Sequence, residues 1–245
     1  MNPLSSGRFD AVLFDLDGVL TATAKMHATC WKRLFDEFLA ERAAATGEPT
    51  TPFDIVEDYK RYVDGKLRYE GVRSFLGSRG IELPEGTPDE PPGSGTICGL
   101  GNRKEAMVQD MLEADGVDVY EGSVKLVELV RSRGLRTAVV SASKNCKAVL
   151  EAARMSDLFD QVVDGEVAER LRLPGKPEPA TFLAAAERLG VAPERAVVVE
   201  DAISGVQAGR AGGFGLVVGV DRTGDPDSLR QSGADIVVKD LGELL

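Results

Sequence analysis

The chain has 245 residues and a formal net charge of −11, which fits one large domain or a core with an insertion, and which opposes binding to polyanions such as DNA. No apolar run approaches the roughly 18 residues that a membrane span needs. The first ten residues also lack the apolar stretch of a secretory signal. Composition and charge therefore predict a cytoplasmic protein that binds neither nucleic acid nor membrane.

Short runs of β-branched residues recur along the chain without regular polar alternation, as is typical of buried parallel strands. These runs occupy residues 11–14, 136–143, 195–201, 215–220 and 235–240. Helical patterns lie between them, at residues 122–134, 145–154, 178–190 and 203–213. Strands that alternate with helices predict an α/β fold with a Rossmann-like doubly wound parallel sheet.

One long stretch after the first strand breaks this alternation. It has no comparable strand run, but it carries helical patterns at residues 27–45 and 102–114. The simplest interpretation is an α-helical cap domain at residues 23–113, inserted into a core domain made of residues 1–22 and 114–245. Within this cap, residues 83–95 are rich in proline and glycine, which indicates a mobile loop rather than a domain boundary.

Acidic residues follow two of the predicted strands. Asp15 and Asp17 come after the first strand, and Glu200 and Asp201 end a later one. In an open α/β sheet, ligands gather at the carboxyl ends of the strands. Close carboxylates repel one another unless a cation lies between them, and Mg²⁺ commonly uses one or two carboxylates together with a substrate phosphate. The sequence therefore predicts a Mg²⁺ site at Asp15, Asp17, Glu200 and Asp201.

Two further segments carry groups suited to a phosphate. Ser141 and Ala142 lie at the end of a predicted strand, just before a helix that begins near Asn145. Hydroxyl and backbone N–H groups at such a helix start can bind phosphate. Lys176 lies in the segment PGKPEP before another helix, where its ammonium can pair with phosphate oxygens.

Four segments, DLDGVLT, SAS, GKPEP and VVEDAISGVQAG, resemble in order and spacing the four motifs of the haloacid dehalogenase superfamily. The resemblance covers nearly the whole chain and is closest to the β-phosphoglucomutase-like subgroup, whose members carry a helical cap after the first motif. It implies that Asp15 is the nucleophile that forms an aspartyl-phosphate. It also implies that Asp17 is the general acid and base, with its backbone carbonyl on the metal, and that Ser141, Ala142 and Lys176 hold the phosphate.

The resemblance also implies substrate contacts outside the four motifs. Arg68, in a segment similar to a cap loop of the mutases, would bind the phosphate that is not transferred, and Lys66 is a neighbouring alternative. Taken alone, His27 also fits a structural histidine, and Arg68 and Lys104 fit solvated surface charges. The substrate-binding residues implied by the resemblance are Thr23, His27, Trp31, Arg68, Lys104, Ser143 and Asn145.

Two residues depart from the subgroup pattern. Ala22 occupies a position that is commonly acidic, so a network from that acid to His27 or Lys104 would be absent or rebuilt. Asp64 replaces a basic residue expected near Arg68. Both departures bear on how a substrate is handled rather than on phosphoryl transfer.

Other common chemistries lack their motifs in this chain. Counting from Asp15 gives no calcium-binding EF-hand loop, and no GxxxxGK[ST] sequence is present. A chain with one histidine and no GxSxG sequence is a poor candidate for a serine hydrolase.

Three functions are compatible with the resemblance. The first is a mutase that converts β-glucose 1-phosphate to glucose 6-phosphate. The second is a sugar-phosphate phosphatase, which uses the same core residues but lets water attack the aspartyl-phosphate. The third, an inactive sugar-phosphate-binding protein, is disfavoured by the intact Asp15, Asp17, Lys176 and Asp201. In each case the predicted partner is a small phosphorylated sugar, and the chain is expected to be a monomer.

Overall fold

The computed structural model describes Leu4 and residues 7–245 of the chain. These residues form two compact units. The first unit consists of the described residues up to Thr23 together with Gly65–Leu67 and Val117–Leu245. The second unit consists of Ala24–Asp64 and Arg68–Gly116.

The first unit is built on a sheet of parallel strands. The strands are β1 (Ala11–Phe14), β2 (Arg136–Val140), β3 (Gln161–Val163), β4 (Ala196–Glu200), β5 (Leu216–Val220) and β6 (Ile236–Val238). Their order across the sheet is β3-β2-β1-β4-β5-β6, so the direction of winding reverses between β1 and β4. This order confirms the predicted Rossmann-like doubly wound fold, and the reversal is where such sheets bind ligands.

Helices connect the strands of the first unit and pack against the sheet. They are α4 (Glu121–Ser132), α5 (Cys146–Ala152), α6 (Gly165–Leu171), α7 (Ala180–Leu189), α8 (Ile203–Ala211) and α9 (Pro226–Ser232). α7 contacts β1, β2 and β3, whereas α8 contacts β4 and β5. Every residue of β1, β4 and β5 is buried, which explains why these strands lack polar alternation.

The sequence pattern predicts five strands, whereas the sheet of the described residues has a sixth strand, β3. This strand has only three residues and begins with a polar glutamine, so its apolar run is too short to indicate a strand. α6 and α9 also escape prediction. Each has seven residues, which is less than two full helical turns, and so short a segment shows little periodicity.

The second unit is made of helices, which confirms the predicted helical insertion. It contains α1 (Ala24–Thr46), a π-helical turn (Tyr59–Val63), α2 (Arg68–Ser78) and α3 (Ile97–Asp115). Residues 24–64 and 68–116 are all described, and none of them forms a strand. Residues 83–95 have neither helix nor strand, as predicted. Residues 64–67 form a turn, and Arg68 is the first residue of α2.

Aromatic rings form the centre of the second unit's core. The ring centroid of Phe35 lies 5.2 Å from that of Trp31, 5.3 Å from that of Phe53 and 4.1 Å from that of Phe75. All four side chains are buried. Pairs of this kind add about 0.5–1.5 kcal/mol to the stabilisation from burial. Trp31 therefore holds α1 in the core of its unit.

No helix of the described residues is long and apolar enough to span a bilayer.

Candidate active site

Three carboxylates meet at the carboxyl ends of β1 and β4. Asp15 follows β1, Glu200 is the last residue of β4, and Asp201 comes next. One carboxylate oxygen from each lies within 4.8 Å of the other two. They meet because Phe14 pairs with Val199 in the register of β1 and β4, which brings the next residue of each strand side by side.

The ammonium of Lys176 lies among these carboxylates. Its Nζ is 2.5 Å from Asp15 Oδ1 and also donates a hydrogen bond to Glu200 Oε1. Lys176 is only 3% exposed, and Glu200 is fully buried. Burial opposes the charge on Lys176, but attraction to Asp15 and Glu200 outweighs it and raises the pKa of the ammonium. Lys176 therefore stays charged in this buried position.

One ammonium does not balance the negative charge at this site. Burial raises the pKa of the Asp15 carboxyl well above its usual range despite the attraction of Lys176, and repulsion from Glu200 and Asp17 adds to the rise. A group of hard carboxylate oxygens with excess negative charge fits a divalent cation. The donor set formed by Asp15, Glu200 and Asp201 thus fits a divalent metal ion.

Asp17 directs its carboxylate toward hydroxyl groups. Thr23 Oγ1 donates a hydrogen bond to Asp17 Oδ1, and Ser141 Oγ lies 3.3 Å from Asp17 Oδ2. The hydroxyl of Thr23 is in turn 2.8 Å from that of Thr21. These contacts hold the Asp17 carboxyl in one orientation.

Gly18 allows the chain to turn between the two aspartates and Asp201. Its φ is +93°, a value that L side chains rarely adopt. A Cβ added at this position would collide with Asp201 Oδ2. Only glycine lets the backbone approach this carboxylate so closely.

The loop between β2 and α5 carries the predicted phosphate ligands. Ser141 Oγ accepts a hydrogen bond of 3.1 Å from the backbone N–H of Ser143, with Ala142 between them. Ser143 Oγ likewise accepts one of 3.1 Å from the backbone N–H of Asn145. The side-chain nitrogen of Asn145 is buried and has no hydrogen-bond partner. A buried donor without a partner costs about 1–3 kcal/mol, so Asn145 is suited to a ligand that accepts a hydrogen bond.

Three of the other predicted residues form a cluster within the second unit. Lys104 Nζ lies 2.6 Å from His27 Nδ1 and 5.1 Å from the ring centroid of Trp31. Lys104 is only 5% exposed, so the alternative of a solvated surface charge is wrong for this residue. His27 and Trp31 lie on α1, and Lys104 lies on α3.

Arg68 has a partner within the second unit. Its Nη1 lies 2.8 Å from Glu105 Oε2, and its Nη2 donates a hydrogen bond of 3.1 Å to the hydroxyl of Tyr69. The Arg68 side chain is 12% exposed and that of Glu105 is 16% exposed, so the surface-charge alternative is wrong here too. Lys66 lies in the segment Gly65–Leu67, which belongs to the first unit, and it is half-buried.

The sequence analysis did not single out Arg222, which contacts the loop after β1. Arg222 Nε donates a hydrogen bond of 2.7 Å to the carbonyl oxygen of Gly18. Arg222 lies two residues beyond the end of β5. Its place at the carboxyl end of a predicted strand was therefore the available signal.

Known proteins resemble this chain in sequence and in fold. The family model "haloacid dehalogenase-like hydrolase" matches residues 9–213. A Mycobacterium tuberculosis protein named beta-phosphoglucomutase is 53% identical to the chain over 238 residues, which are 96% of the chain and 91% of that protein. A phosphorylated carbohydrates phosphatase of Thermotoga maritima is 28% identical over 94% of each protein. A solved beta-phosphoglucomutase structure from Clostridium difficile has the same fold, with a TM-score of 0.75 at 24% identity over 97% of the chain and 93% of its own length.

Lys176→Met tests the electrostatic role of the buried ammonium. We expect the free energy of unfolding to fall by about 3–5 kcal/mol, because the change leaves buried carboxylates without their ion-pair partner. Urea denaturation at pH 7 in the presence of EDTA measures this loss. The control is Lys125→Met, which removes an exposed pair with Glu121 and should change the free energy by less than about 0.5 kcal/mol. Equal effects of the two changes would contradict the electrostatic interpretation.

Proposed function

Since the chain belongs to the haloacid dehalogenase-like hydrolase family, we propose that it is a Mg²⁺-dependent β-phosphoglucomutase, which converts β-glucose 1-phosphate to glucose 6-phosphate. Family membership confirms the resemblance inferred from the four motifs, and the chain is a phosphotransferase or a phosphatase. One observation carries the mutase proposal. The chain is 53% identical, over 96% of its length, to a protein named beta-phosphoglucomutase.

In the proposed reaction, Asp15 carries the phosphoryl group between two transfers. The phosphoryl group first passes from Asp15 to the 6-hydroxyl of β-glucose 1-phosphate: the bond from phosphorus to Asp15 breaks as the bond to the sugar oxygen forms. This gives a bisphosphorylated sugar, which turns round in the site. The phosphoryl group on its 1-position then passes to Asp15, and glucose 6-phosphate leaves. A carboxylate suits this role because it is both a nucleophile and a leaving group.

Asp17 is the proposed general acid and base. It takes the proton from the 6-hydroxyl in the first transfer and returns a proton to the 1-oxygen in the second. Hydrogen bonds from Thr23 and Ser141 hold its carboxyl in one orientation. Such proton transfer contributes about 10²–10⁴-fold to the rate of comparable reactions.

Lys176 supplies positive charge beside the Asp15 carboxylate that would carry the phosphoryl group. Asp15, Glu200 and Asp201 would hold Mg²⁺, and the backbone carbonyl of Asp17 is a further proposed ligand. When bound, Mg²⁺ would neutralise charge on the phosphoryl group. Glu200 is also held in place by the protein, because its Oε2 accepts a hydrogen bond of 2.9 Å from the backbone N–H of Ala202.

We assign the rest of the phosphate and sugar contacts to the residues implied by the resemblance. Ser141 and Ala142 would bind the phosphoryl group that is transferred. Ser143 and Asn145 follow on the same loop, and the unpartnered side-chain nitrogen of Asn145 supports a ligand there. The remaining proposed substrate-binding residues are Thr23, His27, Trp31, Arg68 and Lys104.

A phosphatase is the second candidate function. Ala22 lacks the acidic group that is common in the mutases, and one relative is named as a phosphatase of phosphorylated carbohydrates. In this alternative, water rather than a sugar hydroxyl attacks the phosphoryl group on Asp15, and Asp17 takes the proton of that water.

One assay separates the candidate functions. The protein is mixed with Mg²⁺, β-glucose 1-phosphate and a trace of glucose 1,6-bisphosphate, and the formation of glucose 6-phosphate and of free phosphate is followed. A mutase forms glucose 6-phosphate faster than it releases phosphate. Phosphate release without glucose 6-phosphate would instead establish the phosphatase. Asp15→Asn should abolish both activities, because an amide cannot accept the phosphoryl group, and activity retained by this variant would overturn the assignment of the nucleophile.

Asp17→Asn tests the proton-transfer role separately from binding. We expect turnover to fall by about 10²–10⁴-fold, because the amide cannot exchange a proton with the sugar oxygen. Calorimetric titration should show that the variant still binds Mg²⁺, since the proposed ligand is the backbone carbonyl of residue 17. An unchanged rate would assign the acid and base role to another group.

Arg68→Ala tests the contact with the phosphate that is not transferred. Glucose 6-phosphate formation should fall about tenfold or more, because hydrogen bonds from a guanidinium to an anion are strong. Hydrolysis of acetyl phosphate, which has no second phosphate, should change far less. Arg68→Lys should restore activity only in part, since an ammonium lacks the planar donor pair.

The control for Arg68 is another arginine of α2. Arg73 pairs with Glu85 across 2.6 Å, and both side chains are exposed. Arg73→Ala should leave both activities unchanged. If Arg68→Ala lowered the two activities equally, Arg68 would not be the residue that binds the second phosphate.

A further inference from the structure

Three successive backbone carbonyls after Asp17 accept hydrogen bonds from distant parts of the first unit. The carbonyl of Gly18 accepts from Arg222 Nε at 2.7 Å. That of Val19 accepts from Ser123 Oγ at 2.6 Å, and that of Leu20 accepts from the backbone N–H of Tyr120 at 3.0 Å. In the loop that follows Asp15 and Asp17, each carbonyl from residue 18 to residue 20 thus accepts a hydrogen bond from a residue outside the loop.

Arg222 is itself held in a fixed orientation. Its guanidinium carbon lies 3.5 Å from the centroid of the Tyr120 ring, which places the charged group over the ring face. Its Nη1 donates a hydrogen bond of 3.0 Å to the carbonyl oxygen of Lys239, just after β6. The side chain is 18% exposed. An aromatic ring and a second carbonyl therefore fix the plane of the group that binds Gly18.

A shift of the Gly18 peptide would disturb both neighbouring acidic groups. On one side, Gly18 approaches the Asp201 carboxylate so closely that no Cβ fits between them. On the other side it is bonded to Asp17, whose carboxyl is held by Thr23 and Ser141. The carbonyl that Arg222 binds therefore belongs to a residue that lies close to Asp201, a proposed metal ligand, and is bonded to Asp17, the proposed acid and base.

We propose that Arg222, stacked on Tyr120, is a positioning residue that sets the geometry of the catalytic loop and of Asp201 through the Gly18 carbonyl. The inference rests on the proposed function for its effect on turnover. Its effect on the loop itself is independent of the substrate. Because a misplacement of about 1 Å in a catalytic group can cost about 10²-fold in rate, a contact that does not touch the substrate can control turnover.

Arg222→Gln tests the proposal in the full-length protein. We expect faster amide hydrogen exchange in the peptide covering residues 15–23, weaker Mg²⁺ binding by calorimetry and a fall of about tenfold or more in kcat, with KM for the sugar phosphate nearly unchanged. Arg222→Lys keeps the charge but not the flat guanidinium over the ring, so it should give intermediate values. The control is Arg230→Gln, an exposed arginine of α9 paired with Asp227, which should alter none of these quantities.

Tyr120→Leu provides a second variant, which keeps Arg222 but removes the ring beneath it. It should change hydrogen exchange at residues 15–23 in the same direction as Arg222→Gln. The proposal is overturned if a folded Arg222→Gln or Tyr120→Leu protein exchanges these amides at the wild-type rate, or if only the melting temperature changes. Failure of the proposed function gives a different result. In that case the wild type forms no glucose 6-phosphate, yet hydrogen exchange still separates Arg222→Gln from Arg230→Gln.

Discussion

The buried contact of Lys176 with Asp15 and Glu200 is the interaction on which the site depends. Removing these charges from water costs several kcal/mol per ion, and only good mutual geometry repays the cost. The three residues come from the end of β1, from the end of β4 and from the loop before α7. A shift of one residue between β1 and β4 would separate Asp15 from Glu200 and leave a charge buried without its partner. The ion pairs and the register of the central strands therefore support one another.

The same contact leaves the cluster of carboxylates with excess negative charge, which favours binding of a cation. Lys176 balances part of the negative charge of Asp15, Glu200 and Asp201, since one ammonium lies among three carboxylates. A cation bound to this group relieves the repulsion, and any ligand that binds only the folded state also stabilises the fold. Stability and ligand binding are thus linked through one cluster of side chains.

The sequence was sufficient to predict the parts of the structure that depend on local pattern. Continuous β-branched runs identified the buried strands, and the rule that ligands bind at the carboxyl ends of strands located Asp15, Ser141 and Asp201. Contacts that depend on distant partners were not predictable in this way. The partner of Arg68 lies on α3, and the ring that supports Arg222 lies at the start of α4, roughly a hundred residues away along the chain. Such pairs follow from packing, and no local pattern in one sequence reveals them.

A buried lysine contacts His27 within the second unit. An ammonium has three donors and no acceptor, so Nδ1 of His27 must accept the hydrogen bond from Lys104. Lys104 also lies near the face of Trp31, whose ring contacts Phe35 in the core of the unit. His27 is therefore oriented by a buried lysine that itself packs on the aromatic core of the second unit.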